Sequence, residues 1–244
     1  MKKIILLLAF CLSVGNLFAQ DANADKLREE GDAAMTAKNY PEVVAKYNEY
    51  LNLTNYEDES RIFNCAFAAY NAKKYDDAIK FYDMAIQKGY KADDAYVGKA
   101  MSLRSQDKAA DFTATVEAGL KANAQNANLE KLLYAYCMKK GQAAQKAGKT
   151  EEAEELFKDV LVVGNAKYKG NALYSLGVMF YNAGAKILAD ANPIATSDPD
   201  KYAAEKKKAD AQMAKAKGYL EQAIALNAAD ANSKKILDAI NAAK

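Results

Sequence analysis

"KYDDAIKFYDMAIQKGY" spans Lys74–Tyr90, and "KTEEAEELFKDVLVVGN" spans Lys149–Asn165. Both carry an alanine (Ala78, Ala153) with an aromatic four residues on (Tyr82, Phe157) and acids in between or before. A chain that writes one helix twice is built of repeats. Apolar residues recur at three and four along the whole chain, and period-two runs of Val, Ile and Thr are absent. Only three prolines interrupt it. The pattern is all-helical.

The same layout recurs elsewhere. Ile62, Cys65, Ala66 and Ala69 form a stripe that leads to Ala78, Tyr82 and Ala85. Leu27, Gly31 and Ala34 lead to Val43, Tyr47 and Tyr50. Tyr96, Ala100 and Leu103 lead to Phe112, Val116 and Gly119. Cys137, Gly141 and Ala144 lead to Ala153, Phe157 and Val160. Leu173, Leu176, Gly177 and Phe180 open a fifth copy. The small residues Gly31, Ala66, Ala100, Gly141 and Gly177 lie 35, 34, 41 and 36 residues apart, and in four copies the second-helix position follows by twelve.

This layout resembles the tetratricopeptide repeat (TPR) family, whose 34-residue unit reads large-x2-Leu-Gly-x2-Tyr, then Ala-x3-Phe. "LYSLGVMF" fits the first half; "KYDDAIKFYDMA" and "TEEAEELF" fit the second. Lys99 and Lys140 stand where the family often has Leu, and Phe112 where it has a small residue. The resemblance implies an all-α fold: a right-handed superhelical stack of antiparallel helix pairs, a TPR-like α-solenoid, with a C-terminal capping helix. It covers residues 20–244 as a single array with units near 24–57, 58–92, 93–127, 128–166 and 167–229. Helix 231–244 would cap it, with Ile236, Leu237 and Ile240 on its apolar face.

The physical reason for repetition is burial. A helix of about 14 residues is marginal alone in water. A small residue on the first helix admits the second, and the aromatic fills the space beside it. Each pair keeps one apolar face that only the next pair covers. Asn39 with Pro41 suits a helix start, as does Thr150 followed by Glu151 and Glu152. The fifth copy departs from this, because Gly177 and its apparent partner Ala216 are 39 apart. "ADANPIATSDPD" reads as a loop, and Asp198-Pro199 starts a helix of about 29 residues, about 43 Å long. The expectation is an extended hairpin over about 185–212.

"MKKIILLLAFCLSVGNLFAQ" opens the chain with a charged start, an apolar centre and a small residue at Ala19. That is the pattern of a signal peptide over residues 1–19, with cleavage after Ala19. The chain is then exported, periplasmic or secreted. The rival reading, a lipid anchor at Cys11, finds Phe10 where that class has a small residue. No later stretch is apolar enough to span a membrane. Without Lys2 and Lys3 the chain carries 32 basic and 32 acidic residues, so no basic excess points to nucleic acid.

There is no histidine, which removes the usual general base and every Ser-His or Cys-His pair. Glu151, Glu152, Glu154 and Glu155 read as a helix start rather than paired catalytic acids. No phosphate loop and no calcium loop occurs. The chain is expected not to be an enzyme and to need no cofactor and no metal. Cys65 and Cys137 sit at helical spacing among apolar residues and read as small core residues rather than a disulfide.

The resemblance implies that first helices line a concave groove. One residue beyond each core stripe lies a second stripe: Phe63, Phe67, Tyr70 and Asn71; Met101 and Arg104; Met138 and Gln142; Tyr174, Tyr181 and Asn182. Aromatics, amides and an arginine suit recognition of a protein segment. Gripping of a C-terminal carboxylate by paired Lys and Asn is disfavoured, because the matching positions are Phe63, Phe67 and Val97. The expected function is a protein-protein interaction scaffold or adaptor for a partner peptide or protein segment. The alternative is a structural protein that self-associates, as a homo-oligomer, or docks to an envelope complex through its hairpin. A small-ligand carrier ranks third.

Overall fold

The computed structural model describes residues 21–242. The expected leader, its cleavage site and Cys11 lie outside the described residues, as do the last two positions of the expected cap. Among the described residues there are eleven α-helices and no strand. They are α1 (21–36), α2 (Tyr40–Leu53), α3 (Glu59–Asn71), α4 (Tyr75–Lys88), α5 (Ala92–Ser105) and α6 (Ala109–Ala122). α7 (Ala127–Lys146), α8 (Thr150–Asp159), α9 (Ala166–Ala191), α10 (Pro199–Leu226) and α11 (Ala231–Ala242) follow. The fold is all-α, with adjacent helices packed in pairs as in a TPR-like α-solenoid. Two compact units divide between Gly119 and Leu120. In the first, α3 packs on α2, α4 and α5; in the second, α9 packs on α7, α8, α10 and α11.

Side chains of short polar residues start several helices. Asp58 accepts from the Arg61 N–H at 3.0 Å and Asn126 from the Leu129 N–H at 3.1 Å. Asn165 accepts from the Lys167 and Tyr168 N–H groups, and Asp198 from the Lys201 N–H. Each satisfies an amide that the helix itself leaves unpaired. Two expected starts differ. Asn39 precedes α2, yet its amide donates to Glu42 at 2.6 Å instead of capping. Thr150 is already inside α8, and Lys149 precedes it without a side-chain cap bond. Acidic residues in the first turn, Glu151 and Glu152, complement the helix dipole there.

The pairs close through one recurring contact. A Cβ placed on Gly31 would strike the Tyr47 ring, and one on Gly141 would lie 2.6 Å from the Phe157 ring. Each ring sits sixteen residues beyond its small residue, as Tyr82 does beyond Ala66. Tyr82 serves two pairs, because a Cβ on Gly98 of α5 would also strike it. In the third pair the bulk moves one turn earlier: Phe112 is fully buried, beside a fully buried Val116. Cys65 and Cys137 are buried free thiols, and burial pushes both up to about 12.

The turn within each pair is equally regular. Lys38, Lys73, Asp107 and Gly148 have φ of 57°, 59°, 56° and 76°. Each lies seven residues after its small residue. The next N–H then bonds back to a carbonyl five residues earlier: Asn39 to Ala34, Lys74 to Ala69, Lys108 to Leu103, Lys149 to Ala144, at 2.8–3.0 Å. These bonds close each first helix in a Schellman turn.

The fifth pair has Gly184 at that position, and it stays helical. A Cβ there would lie 3.0 Å from the Ala209 carbonyl and 3.1 Å from Met213. The chain therefore runs on instead of turning. α9 reaches 26 residues and α10 28, with Gly177 against Leu220 and Ala216. Ala191 continues the seven-residue row and is buried. The expected loop is largely helical. Its first three residues finish α9, Asn192–Ile194 form a 3-10 turn that admits Pro193, and α10 begins at Pro199. The separation of small residue and filler grows from 16 to 43 residues, yet the contact itself is kept.

Gly141→Leu should lower stability by about 1–3 kcal/mol, because the added side chain has no space under Phe157. Lys73→Gly should raise stability by up to about 1 kcal/mol, since glycine alone adopts that backbone without strain. Urea midpoints check both.

Candidate functional site

The second stripe has the same register in every first helix but not the same surroundings. On α3, Phe63 is half-buried. Its ring meets Tyr82 edge-on at 5.8 Å and Tyr90 at 6.3 Å, with the Lys91 ammonium 5.1 Å away. One turn on, Phe67 is 43% exposed and meets Tyr40 edge-on, at 6.0 Å. Tyr70 is half-buried against Tyr75 at 5.8 Å. Asn71 is exposed, and its amide donates to the Phe67 carbonyl of its own helix at 2.8 Å. Met101 and Arg104 on α5 are half-buried. The first unit thus gathers Tyr40, Phe67, Tyr70 and Tyr75 as partly open rings, while Phe63 is packed inward.

In the second unit Met138 is 9% exposed and belongs to the core, and Gln142 is exposed. On α9, Tyr174 and Tyr181 are half-buried and Asn182 is exposed. Tyr174 lines a cleft of about 470 Å³ between α9, the end of α10 and the start of α11. Lys167, Asn171, Leu226, Asn227 and Asn232 line it too. A second cleft, about 480 Å³, lies in the first unit between α4, α5 and α6. Its two lysines are paired: Lys99 bonds Asp83 at 2.7 Å, and Lys108 lies 3.5 Å from Asp76.

Several polar residues outside the candidate stripes hold these faces in place. Asp32 accepts from the Tyr47 hydroxyl at 2.6 Å and from the Arg61 Nη2 and Nε at 2.6 and 3.2 Å, tying α1, α2 and α3 together. Tyr50 donates to Asp58 at 3.0 Å. Glu130 is buried on α7 and accepts from the Gly164 and Asn165 N–H groups just before α9. Its acidic character among Leu129 and Leu133 was the available signal. Among the described residues, no cluster of three metal-ligating side chains occurs and no helix is long and apolar enough to cross a membrane.

No protein-family profile matches the chain. The crystal structure of a TPR repeats protein from Bacteroides fragilis does: TM-score 0.85, 43% identity, over 91% of this chain and 99% of that one. The chain belongs to the TPR proteins. Hsp70-Hsp90 organizing protein 1 of Glycine max is 30% identical over 154 residues, 60% of this chain. The chain spans about a quarter (26%) of that curated relative's length. The TPR2AB domain of yeast Sti1, solved as a complex with pHSP90, aligns at 16% identity and TM-score 0.36 over 90% of this chain and 97% of that one. The TPR fold is generally a non-enzymatic interaction module.

Asp32 contributes to the acid stability of this TPR chain. Partial burial pushes its carboxyl up, but the Arg61 and Tyr47 hydrogen bonds outweigh it and hold it below the usual carboxylate range. A lowered folded value gives stability that is complete above about pH 4 and is lost as pH falls through that value. Asp32→Asn should therefore lower the melting temperature at neutral pH and flatten its fall below about pH 4.

Proposed function

We propose that this chain is an exported adaptor that holds a segment of a partner protein against its first-helix faces. The observation that carries this reading is Phe67, a ring left 43% exposed on a first helix while Ala66 and Ala68 on either side of it in sequence are fully buried. A large apolar side chain kept in water at a recurrent position suits a contact made only with a partner. Tyr40, Tyr70 and Tyr75 extend the aromatic surface in the first unit, and Arg104 offers a planar charged group. Export rests on the leader-like residues 1–19.

The assembly reading is favoured by a different observation, the 26- and 28-residue helices of the hairpin, about twice the length of α2 or α4. A monomer in solution supports the adaptor. A dimer abolished by deletion of residues 190–212 supports assembly instead.

The adaptor reading is tested with residues 20–244 as bait in envelope extract. Phe67→Ala should reduce capture of the retained partner about tenfold or more, as loss of an interface anchor does, with the melting temperature kept. Equal capture by both proteins overturns the reading. Export is checked by the N-terminus of the purified protein: Gln20 is expected, and an intact Met1 contradicts it.

A further inference from the structure

Three glycines stand inside α9, and two of them answer to packing. A Cβ on Gly177 would lie 2.6 Å from Leu220, and one on Gly184 3.0 Å from the Ala209 carbonyl. A Cβ on Gly170 would meet nothing within 4 Å. Glycine is disfavoured in a helix interior, and no close neighbour accounts for it at this position. Gly170 instead lines the cleft of about 470 Å³ bounded by α9, the end of α10 and the start of α11. That volume lies in the lower part of the range of small-molecule sites.

The lining sets one aromatic, Tyr174, among three amides, Asn171, Asn227 and Asn232. Asn171 donates to the Tyr134 hydroxyl at 2.8 Å, which leaves its carbonyl oxygen to accept. Asn227 accepts from the Ala229 N–H at 3.1 Å, which leaves its NH2 to donate. The wall is held before any ligand arrives: Tyr134 stacks on Tyr168 at 4.3 Å, and Glu130, one turn earlier on α7, accepts from the Gly164 and Asn165 N–H groups ahead of α9. Lys167 and Asp230 are the charged residues of the lining and cancel formally. Asp230 is already engaged by the Ser233 N–H and hydroxyl at 3.1 and 2.6 Å. An ion therefore finds no net counter-charge here, and a wholly apolar molecule would strip water from three amides without replacing it.

We propose that this cleft is a binding site for a neutral sugar in its pyranose form. Each sugar hydroxyl both donates and accepts, which matches amides that offer both functions. The Asn171 oxygen and the Asn227 and Asn232 NH2 groups take the hydroxyls, and the C–H face of the ring lies on Tyr174. The open space above Gly170 receives the ring edge. This activity goes beyond the adaptor reading and does not depend on it, since Phe67 lies in the other compact unit.

The test titrates the whole chain with the methyl β-glycosides of glucose, galactose and N-acetylglucosamine and follows the Asn171, Asn227 and Asn232 side-chain signals by NMR. Saturable shifts from at least one glycoside are expected, and glycerol, which has hydroxyls but no ring face, should leave the signals unmoved at the same concentration. Tyr174→Leu keeps the apolar bulk and loses the ring, and should weaken binding about tenfold. Gly170→Leu fills the cleft and should abolish binding with the melting temperature kept or raised, because leucine is the better helix former. If that variant does not fold, the exposed Asn232→Ala replaces it and should weaken binding about fivefold. No shift from any of the three glycosides, equal shifts from glycerol, tighter binding of acetyl-leucine amide, or unimpaired binding by the folded variants overturns the proposal. Capture of a protein partner through Phe67 is a separate measurement, so the adaptor reading stands or falls without it.

Discussion

A large side chain seated on a small one, sixteen residues upstream in the partner helix, is the contact on which this structure depends. Tyr47 on Gly31 and Phe157 on Gly141 allow the two helices to approach until the ring replaces a missing Cβ. That approach fixes the azimuth of both helices. The residues at twelve and sixteen then face inward. The left-handed turn at seven residues brings the second helix back in register. Spacing, turn and packing are three consequences of one geometry, which is why they recur together.

The fifth pair shows what the constraint permits. Its turn is displaced, so two long helices separate Gly177 from Leu220 in sequence while the contact between them survives. The added length is itself zipped by small residues at seven-residue steps, the period of helices that wind along one another. The price is conformational: an arm of this kind buries little beyond its own seam. At Gly170 a Cβ would meet nothing within 4 Å, and a lined space lies at the base of the hairpin.

The repeats, the helical class and the small-to-large pairing were legible in the sequence, because each depends on spacing along one helix or between two adjacent ones. The turn chemistry was partly legible. Asn39 and Thr150 looked like caps, but Asn39 bonds Glu42 and Thr150 lies inside its helix, and no local pattern distinguishes these outcomes. The candidate stripe was least legible. Phe63, Phe67 and Met138 share one register, yet Phe63 gains Tyr82 and Tyr90 from the following helix, Met138 is enclosed, and Phe67 is left open. Exposure depends on what a neighbouring pair places opposite, and spacing within one helix does not encode it. Gly98 was missed for the same reason: its small size answers to Tyr82 of the preceding pair.

The small-to-large contact is tested most directly by a double-mutant cycle at Gly141 and Phe157, read from urea unfolding of Gly141→Ala, Phe157→Leu and their combination. The account predicts coupling: with the ring truncated, the added methyl at 141 loses its clash, and the double variant is more stable than additivity gives by at least about 1 kcal/mol. Additive effects within about 0.3 kcal/mol would mean that the two positions do not meet, and would contradict the geometry on which the rest is built.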